Sequence, residues 1–96
     1  SVKAAVFPIV KNSEYEQLAE AIVLDLREEW NVNYDKSGSV GRRYARNDEI
    51  GTPYCITVDF DSLEKNDVTI RDRDTMKQER VPILQLLEVI RQKLDN

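Results

Sequence analysis

The sequence predicts a single α/β domain, because apolar segments typical of buried strands alternate with segments of helical periodicity. Val2–Val10 is almost continuously apolar, as in a strand that is covered on both faces. Ser13–Trp30 then repeats apolar residues at the spacing of an amphipathic helix. Tyr54–Phe60 alternates between two faces, as a strand does, after a short arginine-rich helix. The order strand, helix, strand, helix, strand indicates parallel pairing and right-handed connections.

The first strand and the first helix follow from local signals. Pro8 removes a backbone donor, so the strand is predicted to end near it. Ser13 and Glu16 match the S-x-x-E capping box, which places the start of the helix at Ser13. Its core-facing stripe consists of Tyr15, Leu18, Ala19, Ile22, Leu26 and Trp30. The opposite face is acidic and is expected to be a solvated surface.

The middle of the chain contains a short strand, a polar loop and the arginine-rich helix. Val32–Asp35 is expected to be the second strand, and Lys36–Ser39 the loop. Ser39 can cap the helix, because its side-chain oxygen can accept an unpaired backbone N–H. Gly51 is placed to end it, since glycine adopts the left-handed C′ conformation at little cost, and Pro53 prevents its continuation.

The third strand and its connector come next. The residues predicted on one face of the strand are Tyr54, Ile56, Val58 and Phe60, and those on the other are Cys55, Thr57 and Asp59. Asp61–Asp67 is a turn-rich connector, in which Asn66 suits a tight reversal. Val68–Arg71 and Met76–Val81 then form an expected antiparallel hairpin.

A closing helix completes the domain. Pro82 suits its first turn, where a missing backbone N–H costs little. Its buried stripe is predicted to be Ile83, Leu86, Leu87, Ile90 and Leu94.

Length and composition restrict the class of protein. Ninety-six residues with 41% hydrophobic and 33% charged content predict one soluble globular domain. No apolar run approaches the roughly 20 residues of a membrane helix, and Ser1–Val10 lacks the features of a signal peptide, so a cytoplasmic location is expected. The absence of histidine excludes Ser-His and Cys-His catalysis. The lone Cys55 is expected to be a small buried hydrophobe.

Charge is segregated along the chain, although the net charge is −4. Glu14–Glu29 is strongly acidic, whereas Lys36–Arg46 carries cations and no acid. A second basic group, with acids interspersed, follows in the hairpin. Single-stranded RNA is held by cations at its phosphates and by aromatic rings that stack on its bases. The pattern is compatible with RNA binding as well as with an ordinary charged surface.

Asp59 and Asp61 offer a different chemistry at the end of the third strand. Two carboxylates there can bind Mg²⁺, and one can accept a phosphoryl group. The sequence provides no Gly-rich phosphate loop to accompany them. Pairing of Asp59 with a neighbouring base is therefore the simpler interpretation, and no catalytic residue and no metal ligand is assigned.

Three segments carry a family resemblance. They are G-R-R-Y-A-R-N-D-E-I-G-T-P (Gly41–Pro53), V-D-F-D (Val58–Asp61) and V-T-I-R-D-R-D-T-M-K-Q (Val68–Gln78). They resemble the C-terminal anticodon-binding domain of glycyl-tRNA synthetase, a class II aminoacyl-tRNA synthetase of the dimeric type. The resemblance implies a three-layer α/β/α sandwich on a five-stranded mixed sheet of order 2-1-3-4-5, with strand 4 antiparallel. Residues 1–96 are then one anticodon-binding domain and a fragment of a longer synthetase.

The resemblance also implies a function. The parent enzyme attaches glycine to tRNA(Gly), and its ATP and Mg²⁺ belong to a catalytic domain absent from this chain. The fragment itself is expected to be non-catalytic, to need no cofactor, and to bind the anticodon loop and the rest of the synthetase chain. The parent is expected to be a homodimer and the isolated domain a monomer. A non-catalytic paralogue that binds other nucleic acid or protein is the alternative.

The candidate site follows from the anticodon. Glycine codons begin with GG, so the second and third anticodon letters are cytosines, whose edges offer one amino donor and two acceptors. The expected base-reading residues are Arg71, Arg73, Asp74, Gln78, Glu79 and Arg80. The expected phosphate contacts are Lys36, Arg42, Arg43 and Arg46, and the possible stacking residues are Tyr34 and Tyr44. Two alternatives stay open: Arg42 or Arg46 pairs with Asp48, Glu49 or Asp35, and Tyr44 belongs to the core.

Overall fold

A computed structural model describes residues 1–95 of the chain. Its strands are β1 (Ala4–Pro8), β2 (Val32–Tyr34), β3 (Tyr54–Val58), β4 (Asp67–Asp72) and β5 (Gln78–Pro82), and its helices are α1 (Ser13–Arg27), α2 (Val40–Glu49), α3 (Ser62–Lys65) and α4 (Ile83–Asp95). The strands form one sheet in the order β2-β1-β3-β4-β5. β1 is parallel to both its neighbours, and β4 is antiparallel to β3 and β5. The predicted fold class, sheet order and antiparallel strand are therefore confirmed.

The two faces of the sheet are covered by different helices. On one face, Val6, Ile56 and Val58 join a large apolar cluster with residues of α1 and α4. On the other face, Ala5, Phe7 and Cys55 form a much smaller cluster with Tyr44 of α2. Because strand residues alternate, these two sets define the two sides of the sheet, and the predicted alternation of β3 is confirmed. The helices described in residues 1–95 are too short or too polar to cross a bilayer.

Both predicted ends of α2 are confirmed. The Ser39 hydroxyl accepts the Arg42 backbone N–H at 3.3 Å, and Gly51 has a φ of +84° just beyond the helix. The last turn is also sealed by two buried polar residues, since the Thr52 hydroxyl donates to the Asn47 side-chain oxygen at 3.2 Å and the Thr52 N–H donates to the Asn47 carbonyl at 2.9 Å. The end of α2 is thus fixed by several hydrogen bonds.

The predicted N-cap of α1 is wrong by one residue, although the helix itself begins at Ser13. Asn12, not Ser13, is the N-cap, and its side chain accepts the Glu14 N–H at 3.0 Å. Asparagine and serine are comparably good caps, so the sequence alone does not decide whether Asn12 or Ser13 caps the helix. The predicted β2 was one residue too long, because it ends at Tyr34.

The end of β3 and the second hairpin strand also differ from expectation. Phe60 lies beyond the end of β3, is 65% exposed, and meets the Tyr15 ring edge-on. Met76 has a φ of +61° and belongs to the hairpin turn, so β5 begins at Gln78. Pro82 ends β5 rather than starting α4, which is possible because a proline is tolerated at the sheet edge.

Candidate nucleic-acid interface

The candidate interface is the polar side of the β4–β5 hairpin that lies on the same face of the sheet as α2. The pairing register places Arg71 beside Cys55 and Gln78, and Thr69 beside Thr57 and Arg80. Residues that are directly paired across strands share a face. We call this group the hairpin face, and it consists of Thr69, Arg71, Gln78 and Arg80. Three predicted base-reading residues therefore lie together.

Arg71 is at the centre of the hairpin face. Its guanidinium lies 4.8 Å from the centre of the Tyr44 ring, and one of its terminal nitrogens donates to the Asp48 carboxylate at 3.2 Å and 3.3 Å. The side chain is 13% exposed, so a small part of it reaches the surface. Stacking on a ring and pairing with a carboxylate both restrict an arginine side chain. Arg71 is therefore held in one orientation.

Tyr44 connects α2 to the hairpin. Its hydroxyl lies 2.8 Å from the Thr57 hydroxyl and accepts a hydrogen bond from the Gln78 amide nitrogen at 3.4 Å. Burial is the main cause that raises the pKa of Tyr44, so the hydroxyl stays protonated at neutral pH. Its ring meets Phe7 edge-on with 5.2 Å between the ring centres. Tyr44 is thus part of the packing between α2 and the sheet, and one side of its ring is already covered by Arg71.

Arg73 and Asp74 stand at the rim of the hairpin face. The Arg73 side chain donates to the backbone carbonyl of Asp48 at 2.9 Å, and its backbone N–H donates to the carbonyl of Pro53 at 2.9 Å. The Asp74 carboxylate accepts from Arg73 at 3.3 Å and is 83% exposed. A guanidinium and an open carboxylate are therefore adjacent, as the sequence predicted.

Glu79 was wrongly grouped with these residues. It is paired across the strands with Ile70, whose side chain is buried under the other face. Its carboxylate forms an ion pair with Lys93 of α4 at 2.8 Å. Because successive strand residues point to opposite sides, Glu79 cannot share a surface with Gln78 and Arg80.

Arg80 lies on the hairpin face but is already surrounded by acids. It donates to Asp67 at 2.7 Å and to both oxygens of Asp59, and Asp61 is 3.7 Å away. These carboxylates raise the pKa of Arg80 further. The Asp59 carboxylate is thus engaged as an ion-pair partner, as the simpler interpretation held. Within residues 1–95, no group of three or more cysteine and carboxylate side chains is arranged to hold a metal ion.

Asp59 should make stability depend on pH. Burial acts to raise its pKa, but hydrogen bonds from Arg80, the Asp61 N–H and the Ser62 hydroxyl lower it below the ordinary value of 3.8. A carboxyl whose pKa is lower in the folded state stabilises the fold above its unfolded pKa, and this contribution is lost as pH falls through the folded pKa. We expect Asp59→Asn to weaken the acid dependence of the unfolding free energy below about pH 4, measured by urea titration.

The matched control is Asp25→Asn, which changes an exposed aspartate of α1. This variant should keep the acid dependence of the unmodified chain. A profile for Asp59→Asn that superimposes on that of Asp25→Asn would contradict the role of the Arg80 pairing.

Arg43 is not available as a phosphate contact. The residue is 3% exposed, and its guanidinium donates to the Pro8 carbonyl at 2.6 Å and to the Gly38 carbonyl at 3.1 Å and 3.3 Å. It also lies 5.9 Å from the centre of the Phe7 ring. Its donors are directed at backbone oxygens, so Arg43 is a structural residue that fixes the loop before α2.

The other three predicted phosphate contacts lie at the surface, and two of them, Lys36 and Arg46, already form ion pairs. Arg42 is exposed and lies beside Gly38 in the loop. Lys36 pairs with Glu16 at 3.0 Å. Arg46 forms several hydrogen bonds with the Asp35 carboxylate, the shortest at 2.8 Å, so the alternative in which Arg46 pairs with Asp35 is confirmed.

Tyr34 lies on the wrong side of the sheet to join Tyr44. It is paired with Val6, which belongs to the cluster under α1, and it lines a shallow depression with residues of α1. Its hydroxyl is buried without a hydrogen-bond partner among the described residues. The two tyrosines therefore cannot form one stacking platform.

Sequence reasoning missed the role of Asp48 at this surface. It was considered only as a partner for Arg42 or Arg46, whereas it contacts Arg71 and Arg73. Local spacing carries no signal for these pairs, because helix α2 and the hairpin are distant in sequence.

Comparisons with known proteins agree with this fold. A family model described as "Anticodon binding domain" matches residues 3–93. The chain is 58% identical over 93 residues to the glycine–tRNA ligase of Corynebacterium glutamicum, covering 97% of the chain and 20% of that protein, and 60% identical over 83 residues to that of Bifidobacterium longum, covering 85% and 17%. The chain therefore spans about a fifth of the length of these curated relatives.

Solved structures show the same fold at lower identity. A prolyl-tRNA synthetase from Cryptosporidium parvum aligns with a TM-score of 0.92 at 22% identity, covering 98% of this chain and 21% of that one. The RNA-binding domain of threonyl-tRNA synthetase from Cryptosporidium parvum aligns with a TM-score of 0.83 at 21% identity, covering 95% and 23%. Together with the family match, these similarities show that the chain belongs to the anticodon-binding domain family and is homologous to a region of glycine–tRNA ligases.

Proposed function

We propose that this chain binds the anticodon loop of tRNA(Gly) as the C-terminal domain of a glycyl-tRNA synthetase. The observation that carries the proposal is the hairpin face, where Arg71 and Gln78 converge on Tyr44 beside the Arg73–Asp74 pair. The remainder of the synthetase joins glycine to the tRNA with ATP and Mg²⁺, and this chain supplies no catalytic group. The parent enzyme is a cytoplasmic homodimer in this proposal, and the isolated domain is a monomer.

The groups on and beside the hairpin face suit a cytosine edge. Cytosine presents an N4 amino donor next to the N3 and O2 acceptors. The Gln78 amide contains both a donor and an acceptor, Arg73 contributes donors, and the Asp74 carboxylate is an acceptor. Single-stranded bases are read through such edges once they are unstacked. A mixed acid–base surface fits this task better than it fits the binding of phosphates.

The surface cations beside the interface fit contacts with the RNA backbone. Arg42, Lys36 and Arg46 lie around the loop before α2, on or next to the helix that flanks the hairpin face. RNA responds to such a local patch even when the net charge of the chain is −4. Ion pairs with Glu16 and Asp35 reduce the charge that Lys36 and Arg46 present, so we assign the principal phosphate contact to Arg42.

The test is the variant Gln78→Ala in the full-length synthetase. Gln78 is exposed, so its removal leaves the core intact. We expect kcat/KM for aminoacylation of tRNA(Gly) to fall about tenfold, since a well-placed base contact contributes about 1–3 kcal/mol of discrimination. For a tRNA whose second or third anticodon cytosine is replaced, Gln78→Ala should lower kcat/KM much less, because the contact with that base is already missing.

The matched control is Gln17→Ala, which removes an exposed glutamine from α1. It should leave both kcat/KM values unchanged. Equal losses for the two tRNAs with Gln78→Ala would rule out base reading by this residue. The alternative of a non-catalytic paralogue is not favoured, because the relatives reported above are glycine–tRNA ligases.

A further inference from the structure

One residue of α2 contacts two of the three arginines of the hairpin, Arg71 and Arg73. The carboxylate of Asp48 accepts from Arg71 at 3.2 Å and 3.3 Å, and its backbone carbonyl accepts from Arg73 at 2.9 Å. Asp48 therefore links the end of α2 to the guanidinium groups of Arg71 and Arg73. The contact runs between elements that are far apart in sequence.

Asp48 is itself held firmly. It follows Asn47, a buried residue whose side chain donates to the Arg43 carbonyl at 2.9 Å and accepts from the Thr52 hydroxyl at 3.2 Å. These bonds fix the backbone of the last turn of α2, from which the Asp48 side chain extends. A rigid support of this kind is what a precisely placed recognition group requires.

The location of Asp48 also breaks a rule of helix electrostatics. Acidic residues near a helix C-terminus are destabilising, because the carbonyl end of the helix carries partial negative charge. Asp48 and the neighbouring Glu49 occupy the last turn of α2. A residue that violates a local preference is expected to have a compensating role. For Asp48 the structure shows that compensation in the ion pair between its carboxylate and Arg71.

We propose that Asp48 is a positioning residue whose carboxylate orients Arg71 toward the bases of the bound anticodon. This inference rests on the proposed function. Arg71 is confined between the Tyr44 ring and the Asp48 carboxylate. Loss of the carboxylate leaves the ring contact, which fixes the distance of the guanidinium from the ring but not its rotation. The donors of Arg71 then point away from the position that they need to occupy.

The experiment uses Asp48→Asn in the full-length synthetase, which preserves shape and removes charge. We expect kcat/KM for tRNA(Gly) to fall about tenfold, with a much smaller loss for a tRNA that carries a replaced anticodon cytosine. Glu49→Gln, the adjacent acid at an exposed position, is the matched control and should change neither value. If Asp48→Asn does not fold, Asp48→Glu takes its place, because it keeps the charge but displaces it, and the same loss of discrimination is expected.

A double-mutant cycle separates positioning from a purely structural effect. Arg71→Met keeps an aliphatic side chain over Tyr44 but has no guanidinium to orient. In the Arg71→Met background, Asp48→Asn should cost much less than in the unmodified enzyme, because the residue acts largely through Arg71. Additive effects, or equal losses for both tRNAs, would overturn the inference.

The outcome also distinguishes this inference from the proposed function. If Gln78→Ala and Arg71→Met alter anticodon discrimination but Asp48→Asn does not, the positioning role is wrong and anticodon reading stands. If none of these variants alters discrimination, the hairpin face does not read the anticodon, and both proposals fail.

Discussion

Replacing Arg43 with alanine is expected to lower the free energy of unfolding by about 3 kcal/mol. The guanidinium is buried and donates to the carbonyls of Pro8 and Gly38, which lie on different segments of the chain. Alanine removes charge-assisted hydrogen bonds and leaves the Pro8 carbonyl buried without its donor, and each such change costs about 1–3 kcal/mol. Urea unfolding followed by the fluorescence of Trp30 measures the loss.

Arg42→Ala is the matched control for this experiment. The two arginines are adjacent in the same helix, but Arg42 is exposed. Its replacement should change the free energy of unfolding by no more than about 0.5 kcal/mol. If both variants lose the same stability, Arg43 does not have the structural role described here.

Phe7→Ala is expected to cost about 3–5 kcal/mol and to loosen α2 selectively. Phe7 is fully buried and packs under α2, where Tyr44 meets its ring edge-on. The apolar cluster between α2 and the sheet is small, so the loss of its largest fully buried side chain removes much of the packing that holds the helix. Amide hydrogen exchange should show lower protection in α2 than in α1 and α4, which rest on the larger cluster.

Val6→Ala provides the comparison on the opposite face of the same strand. Val6 is also fully buried, but it packs under α1. Its replacement should reduce the protection of α1 more than that of α2. A loss of α2 protection that is equal in the two variants would contradict the separation of the two layers.

Much of the fold is predictable because it is encoded locally. The apolar run of β1, the helical stripe of α1 and the Ser39 and Gly51 signals around α2 each depend on residues close in sequence. The sheet order came from the family resemblance, since crossovers do not by themselves specify which strand becomes central. The errors fall at element ends, where Asn12 and Ser13 compete as caps and Pro82 is acceptable in two different roles.

The site was predicted less completely, because its decisive contacts are long-range. Helical spacing does not reveal that Arg43 turns inward while Arg42 faces solvent, since this depends on where the sheet lies. Strand alternation by itself separates Glu79 from Gln78. The prediction grouped them because recognition of a cytosine edge requires a carboxylate beside a guanidinium. Asp59 was expected to pair with a base, but no local pattern identifies that base as Arg80 or predicts that Arg80 also pairs with Asp67.

The buried thiol of Cys55 has a practical consequence. It lies in the small cluster between α2 and the sheet, and burial is the main cause that raises its pKa to about 12. Only a thiolate reacts rapidly with alkylating reagents, so the folded chain should resist them at neutral pH. Reaction must wait until α2 lifts from the strands beneath it. The rate at which Cys55 is alkylated should therefore measure how often α2 separates from the sheet. No label needs to be introduced for this measurement.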